Sequence, residues 1–376
     1  MAKRVTLLTC AIAAAFAACG DFGGSFAQSP FTTTPVAEFN EPWAMAFLPD
    51  GRLLVTEKRG ALKLHSLETK RTGDVAGVPA VAYAGQGGLG DIVLHPNFTT
   101  NGLVYLSYAE AGERALAGAA VARARLVLDK STGRLENLAV IWRQTPKVDG
   151  RGHYGHRIAF GPDGFLYISS GERQKFTPAQ DLQQNLGKIV RLSDDGSVPA
   201  DNPFGERGGV TAQIWSLGHR NPLGLAFDAQ GQLWNVEMGP MGGDELNRVQ
   251  RGANYGYPLV SNGSHYGGAD IPDHDTRPDL AAPAVFWNPV ISPSSLLFYS
   301  GSEFPDWQGD ALIGGLSSTS IVRIEFGAGG TAREAARYRM PQRMRALEQG
   351  PDGSIWALED GRGGRLLKLM AAAQSR

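Results

Sequence analysis

Gly161-Pro-Asp-Gly-Phe-Leu-Tyr-Ile-Ser-Ser170 sets a tight turn directly against a short apolar run. Asp-Gly in that position reads as a hairpin turn into a strand, because glycine takes positive φ at no steric cost. The same turn and strand recur as Leu48-Pro-Asp-Gly-Arg-Leu-Leu-Val-Thr-Glu57, Phe227-Asp-Ala-Gln-Gly-Gln-Leu-Trp-Asn-Val-Glu237 and Gly350-Pro-Asp-Gly-Ser-Ile-Trp-Ala-Leu-Glu359. Looser copies are Gly102-Leu-Val-Tyr-Leu-Ser107 and Trp307-Gln-Gly-Asp-Ala-Leu-Ile-Gly314. The turn glycines (Gly51, Gly102, Gly164, Gly231, Gly309 and Gly353) lie roughly 45 to 80 residues apart, which suits four-stranded blades with inserted loops and exceeds a solenoid repeat. Further strands follow several copies, at Ala61–His65, Lys188–Leu192 and Ile321–Phe326. The expectation is an all-β fold, a six-bladed β-propeller of four-stranded antiparallel blades, with a seventh unit left open. Alanine-rich Glu110–Ala124 reads equally well as loop and strand, since no helical period is sustained. Arg365–Leu369 is expected to pair within the blade begun near Phe39 to Phe47, sealing the ring and removing its edges.

Composition bounds the function. The 376 residues carry a formal net charge of -1, with 42% hydrophobic and 19% charged residues, an ordinary globular balance. No basic run exists to track phosphates, so nucleic acid is not an expected partner. Lys3 and Arg4 followed by apolar Val5–Ala18 read as an export signal too short to span a bilayer. Residues 1–27 are assigned to it and 28–376 to one domain, because no linker-like stretch divides the rest. Cys19 followed by Gly20 also permits a lipid anchor. Both cysteines, Cys10 and Cys19, fall in this leader, which leaves the mature chain neither disulfide nor thiolate chemistry. No later run is long and apolar enough to cross a membrane. A periplasmic or secreted protein, monomer or homodimer, is expected.

Candidate functional residues cluster in loops beside the strands. Gly85-Gln-Gly-Gly-Leu-Gly-Asp91 lacks the lysine and helix of a phosphate loop, and its Gln86 can both donate to and accept from a ligand. Gly152-His-Tyr-Gly-His-Arg157 offers His153 as a general base, since imidazole titrates near working pH. As a zinc pair, His153 and His156 would need further ligands. His219-Arg220-Asn221-Pro222 presents a guanidinium fork for a carboxylate and an amide that both donates and accepts. Gly239-Pro240, Asp244, Glu245 and the backbone near Tyr255 offer oxygens of the kind calcium takes. Arg343-Met-Arg345 alternates on a strand, so both guanidiniums face one way and imply a multiply anionic ligand if they meet a pocket.

Taken together, Gly218-His-Arg-Asn-Pro222, Gly239-Pro240 with Asp244-Glu245-Leu-Asn247, His153 with Gly155 and Arg157, and Arg343-Met-Arg345 resemble the soluble quinoprotein sugar dehydrogenases, in the aldose branch that uses pyrroloquinoline quinone (PQQ). The resemblance spans Trp43 to Leu369. It implies a six-bladed propeller with PQQ over the channel mouth, an aldose sugar as substrate and an external electron acceptor. Arg220, Asn221, Arg343 and Arg345 would hold the tricarboxylate, with Gln86 at the rim and Tyr266 nearby. The carbonyls of Gly239 and Pro240 would ligate a calcium ion (Ca2+), and Glu245 with the Tyr255 carbonyl a second. His153 would take the proton from the anomeric hydroxyl. In Gly315-Leu-Ser-Ser-Thr-Ser320, Ser317 stands where the family pattern has a lysine, so one cation is missing beside a trianionic ligand. Two other readings stay open: a calcium-dependent lactonase or esterase on the same fold, and a non-catalytic propeller that binds a glycan or protein.

Overall fold

The computed structural model describes residues 25–372, so Val5–Ala18, Cys10 and Cys19 lie outside the described residues. Six inner strands, Pro42–Phe47, Leu89–Leu94, Gly155–Phe160, Pro222–Phe227, Pro293–Phe298 and Met344–Gln349, organise the chain. Each turns back into an antiparallel partner: Leu53–Glu57, Leu103–Ala111, Leu166–Ser170, Leu233–Glu237, Ala311–Gly315 or Ile355–Glu359. Every repeat glycine named above sits at positive φ, from +65° at Gly102 to +86° at Gly309. That is the conformation the Asp-Gly turns require. Glu110–Ala124 resolves into two strands, Leu103–Ala111 and Ala117–Leu128, joined by one short turn.

Five of the six partner strands are buried at every position and mostly apolar. Such runs belong to strands covered on both faces, and the cores show what covers them. Six apolar clusters each join one hairpin to the next. Val104 with Leu54, Val121 with Ile158, Leu225 with Tyr167, Leu296 with Trp234, Leu347 with Leu312 and Val55 with Trp356 mark the successive seams. The inner strands also lie against one another in chain order, and the last against the first.

The pairing differs from six separate sheets. Four sheets have four strands and one, Met241–Gly242 with Gly263–Ser264, has two, but the other eight strands form one sheet. Arg71–Ala76 and Gly133–Arg143 join there in parallel, at Val75↔Gly133 and Ala76↔Arg134. The chain ends meet as expected, with a shift in partner. Arg362–Ala371 pairs along Phe31–Asn40, from Phe31↔Ala371 to Asn40↔Arg362. Glu41, at φ +54°, then turns the chain, so Pro42–Phe47 opens the next sheet.

Candidate functional site

An antiparallel hairpin brings the start of its first strand and the end of its second to the same side. Here six hairpins deliver both to one mouth. Every inner strand also carries a register shift just past its first pair, as between Pro42 and Ala44 or Gly155 and Ile158. Bulges of this kind bend a strand and re-aim its side chains. The mouth holds a cavity of about 420 Å³, within the roughly 300–1,000 Å³ of small-molecule sites. Trp43, Tyr154, His156, Leu223, Arg343 and Arg345 reach it from strand entries, and Lys58, Met238, Leu316 and Asp360 from the residue after a second strand.

His153 stands beside this cavity at φ +50°, in the left-handed region that a non-glycine residue rarely adopts. Its backbone is held by the Gln86 side chain, whose Oε1 accepts the His153 N–H at 2.7 Å. Gly171 permits the close approach, since a Cβ there would lie 2.2 Å from the His153 carbonyl. The imidazole Nδ1 meets Glu172 Oε1. Glu172 is fully buried and also accepts the backbone N–H groups of Gln174 (2.9 Å), Lys175 (2.5 Å) and Phe176 (2.6 Å). Burial pushes this carboxyl up, but the His153 bond and these amides bring it below its ordinary value, so it is ionised. Burial holds His153 below the usual imidazole value, opposed by Glu172 and reinforced by the Arg220 charge. At neutral pH the ring is therefore neutral, donates Nδ1–H to Glu172 and carries its lone pair on Nε2. That is the constellation of an oriented general base.

Arg220 and Asn221 enter at the start of Pro222–Phe227. The Arg220 N–H donates to Glu237 Oε2 (2.6 Å), and its guanidinium to the carbonyls of Met238 (2.9 Å) and Gly239 (2.6 Å). Tyr266, 73% exposed, covers it from the rim, with its hydroxyl 3.3 Å from Nη2. Asn221 Oδ1 accepts the Gly155 N–H at 3.1 Å. Among the described residues, four buried nitrogens around the mouth have no partner: Asn221 Nδ2, Arg220 Nε and both ring nitrogens of His156. Across the cavity, Arg343 and Arg345 do point the same way and share one carboxylate, Asp360, at 2.9 and 2.7 Å. Ser317 is exposed beside Leu316, and its hydroxyl reaches the Val290 carbonyl at 3.4 Å.

The residues proposed for calcium are less open. The Arg220 guanidinium already occupies the Gly239 carbonyl. The Asp244 carboxylate is spent on the backbone amides of Gly239, Ile291 and Ser292, at 2.7 to 2.9 Å, while burial pushes it up to about 7. Protein atoms alone thus do not form a cation site at Gly239 and Pro240. Glu245 and Tyr255 lie behind the mouth. Glu245 meets His274 Nε2 and Asn247 Nδ2, both at 3.1 Å, and the Tyr255 ring stacks on His219 at 4.7 Å. Burial raises Glu245, as does the nearby Glu237 charge. Among the described residues no three His, Cys, Asp or Glu side chains converge as metal ligands, the His153–His156 pair included. His156 instead stacks on Tyr154 at 5.3 Å, and burial pushes it down to about 3.

Arg157, one of the motif residues, is a structural pin below the mouth. It pairs with Asp91 at 3.1 Å, binds the carbonyls of Leu223 and Ser294, and lies 4.1 Å from the Trp43 ring centroid. Sequence reasoning missed Glu172, Asp360 and Lys58. Their shared signal is position, within two residues after the second strand of a hairpin.

A family model described as glucose/sorbosone dehydrogenase matches residues 39–368. The aldose sugar dehydrogenase YliI of Escherichia coli is 38% identical over 340 residues, covering 88% of this chain and 90% of its own. The structure of the soluble aldose sugar dehydrogenase of Escherichia coli in the apo-form matches with a TM-score of 0.86 at 38% identity, over 91% of this chain and 100% of that one. The PQQ-bound form of the aldose sugar dehydrogenase of Streptomyces coelicolor matches with a TM-score of 0.74 at 27% identity, over 90% and 98%.

Proposed function

Since the chain belongs to the glucose/sorbosone dehydrogenase family, we propose that it is a PQQ-dependent aldose dehydrogenase, oxidising a sugar at its anomeric carbon to the lactone and passing electrons to an external acceptor. The observation that carries this is the buried Glu172–His153 pair, with Nε2 free, beside a cavity lined by cations. We read the sheets as a six-bladed propeller, the eight-stranded sheet counting as two blades. The closed circle of inner strands and the six cores between successive hairpins support that count. Export to the periplasm, with residues 1–27 as the signal, belongs to the same reading.

The residues fit a flat, multiply anionic cofactor. Lys58, Arg343 and Arg345 face Glu41 and Asp360 across the cavity, which leaves an excess of positive charge. Trp43, Tyr154, Leu223, Met238 and Leu316 supply apolar walls, and the unpartnered nitrogens of Arg220, Asn221 and His156 await acceptors. When bound, PQQ supplies a two-electron quinone acceptor for the hydride from the anomeric carbon. His153 takes the anomeric hydroxyl proton on Nε2, and Glu172 stabilises the imidazolium that results. Glu172 also fixes the tautomer, so no ring rotation is needed before the proton moves. Arg220, Asn221, Arg343 and Arg345 bind and orient the carboxylates, Gln86 holds the His153 loop, and Tyr266 closes the rim.

Calcium ligation by Gly239 and Pro240 requires Arg220 to turn from Gly239 O onto an anion first, so on this reading the ion follows the cofactor. Glu245 and Tyr255 remain the proposed ligands of a second ion. Calcium would act as a Lewis acid toward the quinone.

The test is a PQQ titration of the purified protein with calcium present, followed by dye reduction with a panel of aldoses. Saturable binding with sugar-dependent bleaching is expected. Failure of PQQ to bind overturns the proposal and brings the lactonase and binding-protein readings forward.

A further inference from the structure

Lys58 follows directly on Leu53–Glu57 and lines the mouth cavity together with Gln86, Arg343, Arg345 and Asp360. Its ammonium donates to the Gly85 carbonyl, in the same loop that carries Gln86. It forms no ion pair among the described residues. The two carboxylates of the cavity are engaged elsewhere. Glu41 takes Arg59 at 3.0 Å and the Tyr83 hydroxyl at 2.7 Å, and Asp360 takes both arginines. Burial lowers the affinity of Lys58 for its proton, Glu41 opposes this and Arg345 adds to it. An ammonium half out of water without a counter-charge is unfavourable unless an anion arrives.

Resting on the PQQ reading above, we infer that Lys58 supplies the third cation for the tricarboxylate, in place of the cation absent at Ser317. The two positions approach one cavity from different sheets: Leu316, adjacent to Ser317, lines it after Ala311–Gly315, as Lys58 does after Leu53–Glu57. The charge required by the ligand is conserved while its origin moves round the ring. Arg343 and Arg345 each share Asp360, so their net charge toward a ligand is reduced by one carboxylate. Lys58 shares no carboxylate in this way: Glu41 and Asp360 act on it only from beyond ion-pair distance.

The test measures PQQ binding itself, by quenching of tryptophan fluorescence, because Trp43 lines the cavity. The full chain is compared with Lys58→Gln, Lys58→Arg, Ser317→Lys and the Lys58→Gln/Ser317→Lys double variant. Lys58→Gln is expected to weaken PQQ binding about tenfold or more, the loss of one charge-assisted contact. Lys58→Arg should stay within about threefold of the parent, about 0.7 kcal/mol. Ser317→Lys in the Lys58→Gln background should restore most of the loss. Melting temperatures should match, because an exposed amide can still reach Gly85 O. Tight PQQ binding that Lys58→Gln leaves unchanged overturns this inference and leaves the cofactor reading intact. A fall in melting temperature that accounts for the weaker binding, with no rescue by Ser317→Lys, also overturns it. Absence of PQQ binding to the unsubstituted chain overturns the cofactor reading instead.

Discussion

Replacing Glu172 by glutamine changes one oxygen for an NH2 group at the centre of four hydrogen bonds. Oε1 now accepts from His153 Nδ1 and the Gln174 N–H, and Oε2 from the Lys175 and Phe176 N–H groups. A glutamine has one acceptor oxygen, and the closer pair of amides, at 2.5 and 2.6 Å, is better served by it. Its NH2 then faces His153 Nδ1, which must become the acceptor, and the ring proton moves to Nε2. The base that should receive the substrate proton is thereby lost. Since a positioned general base contributes about 10²–10⁴-fold, kcat should fall by at least 10²-fold. Affinity for PQQ should hold, because Glu172 does not line the cavity. The Gln174 amide loses its acceptor at a cost of about 1–3 kcal/mol, a loss of a few degrees in melting temperature. Steady-state dye reduction at saturating PQQ, with a pH profile, measures this. Glu172 raises the His153 pKa, so whatever acid limb remains should move to lower pH in the variant. A kcat within threefold of the parent, with an unmoved acid limb, would refute the tautomer argument.

Further expectations follow from the same geometry. His153→Ala should abolish sugar oxidation while PQQ still binds; measurable turnover removes His153 from the mechanism. Arg343→Ala should raise the Kd for PQQ and leave kcat at saturation nearly unchanged, since Asp360 still holds Arg345; an unaltered Kd places the Arg343 side chain in solvent. His156, buried and held neutral down to about pH 3, binds a proton only in the unfolded chain below its ordinary value. Its contribution to stability is therefore full above about pH 6.5 and falls by about 1.4 kcal/mol per pH unit on acidification toward pH 3. Urea midpoints at pH 7, 6 and 5 should show that slope, and His156→Phe should flatten it. Asp91→Asn removes the carboxylate that pairs with buried Arg157 and should destabilise by about 3–5 kcal/mol, read as a lower urea midpoint.

The fold was legible where the cause is local. An Asp-Gly turn before an apolar run needs only its own few residues, and all six turn glycines take the positive φ that this demands. Arg343 and Arg345 were also readable, because alternation along a strand fixes their common direction. Their partner was not. Asp360 follows the other strand of the hairpin, and nothing in a lone aspartate announces two guanidiniums. Glu172 and Lys58 were missed likewise, each a single charge whose meaning comes from a loop on another strand or sheet. The calcium residues show the opposite limit. A run of oxygen-bearing residues was visible at Gly239–Glu245, but not that Arg220 would fill the Gly239 carbonyl and three amides the Asp244 carboxylate. Nor does hydropathy tell that two sheets share a parallel pair at Val75 and Ala76.

The pairing of Phe31–Asn40 with Arg362–Ala371 joins two strands between which every other sheet lies in sequence. The first of these strands waits, with its amides and carbonyls unpaired, until the second has been made. A contact so distant in sequence closes slowly, and the waiting edge is a template for pairing with another copy. Loss of Arg362–Ala371 would therefore do more than shorten one sheet. It would leave Phe31–Asn40 without its partner, expose the apolar faces of Phe31 and Ile355 to water, and send the protein toward aggregation instead of a slightly weakened ring.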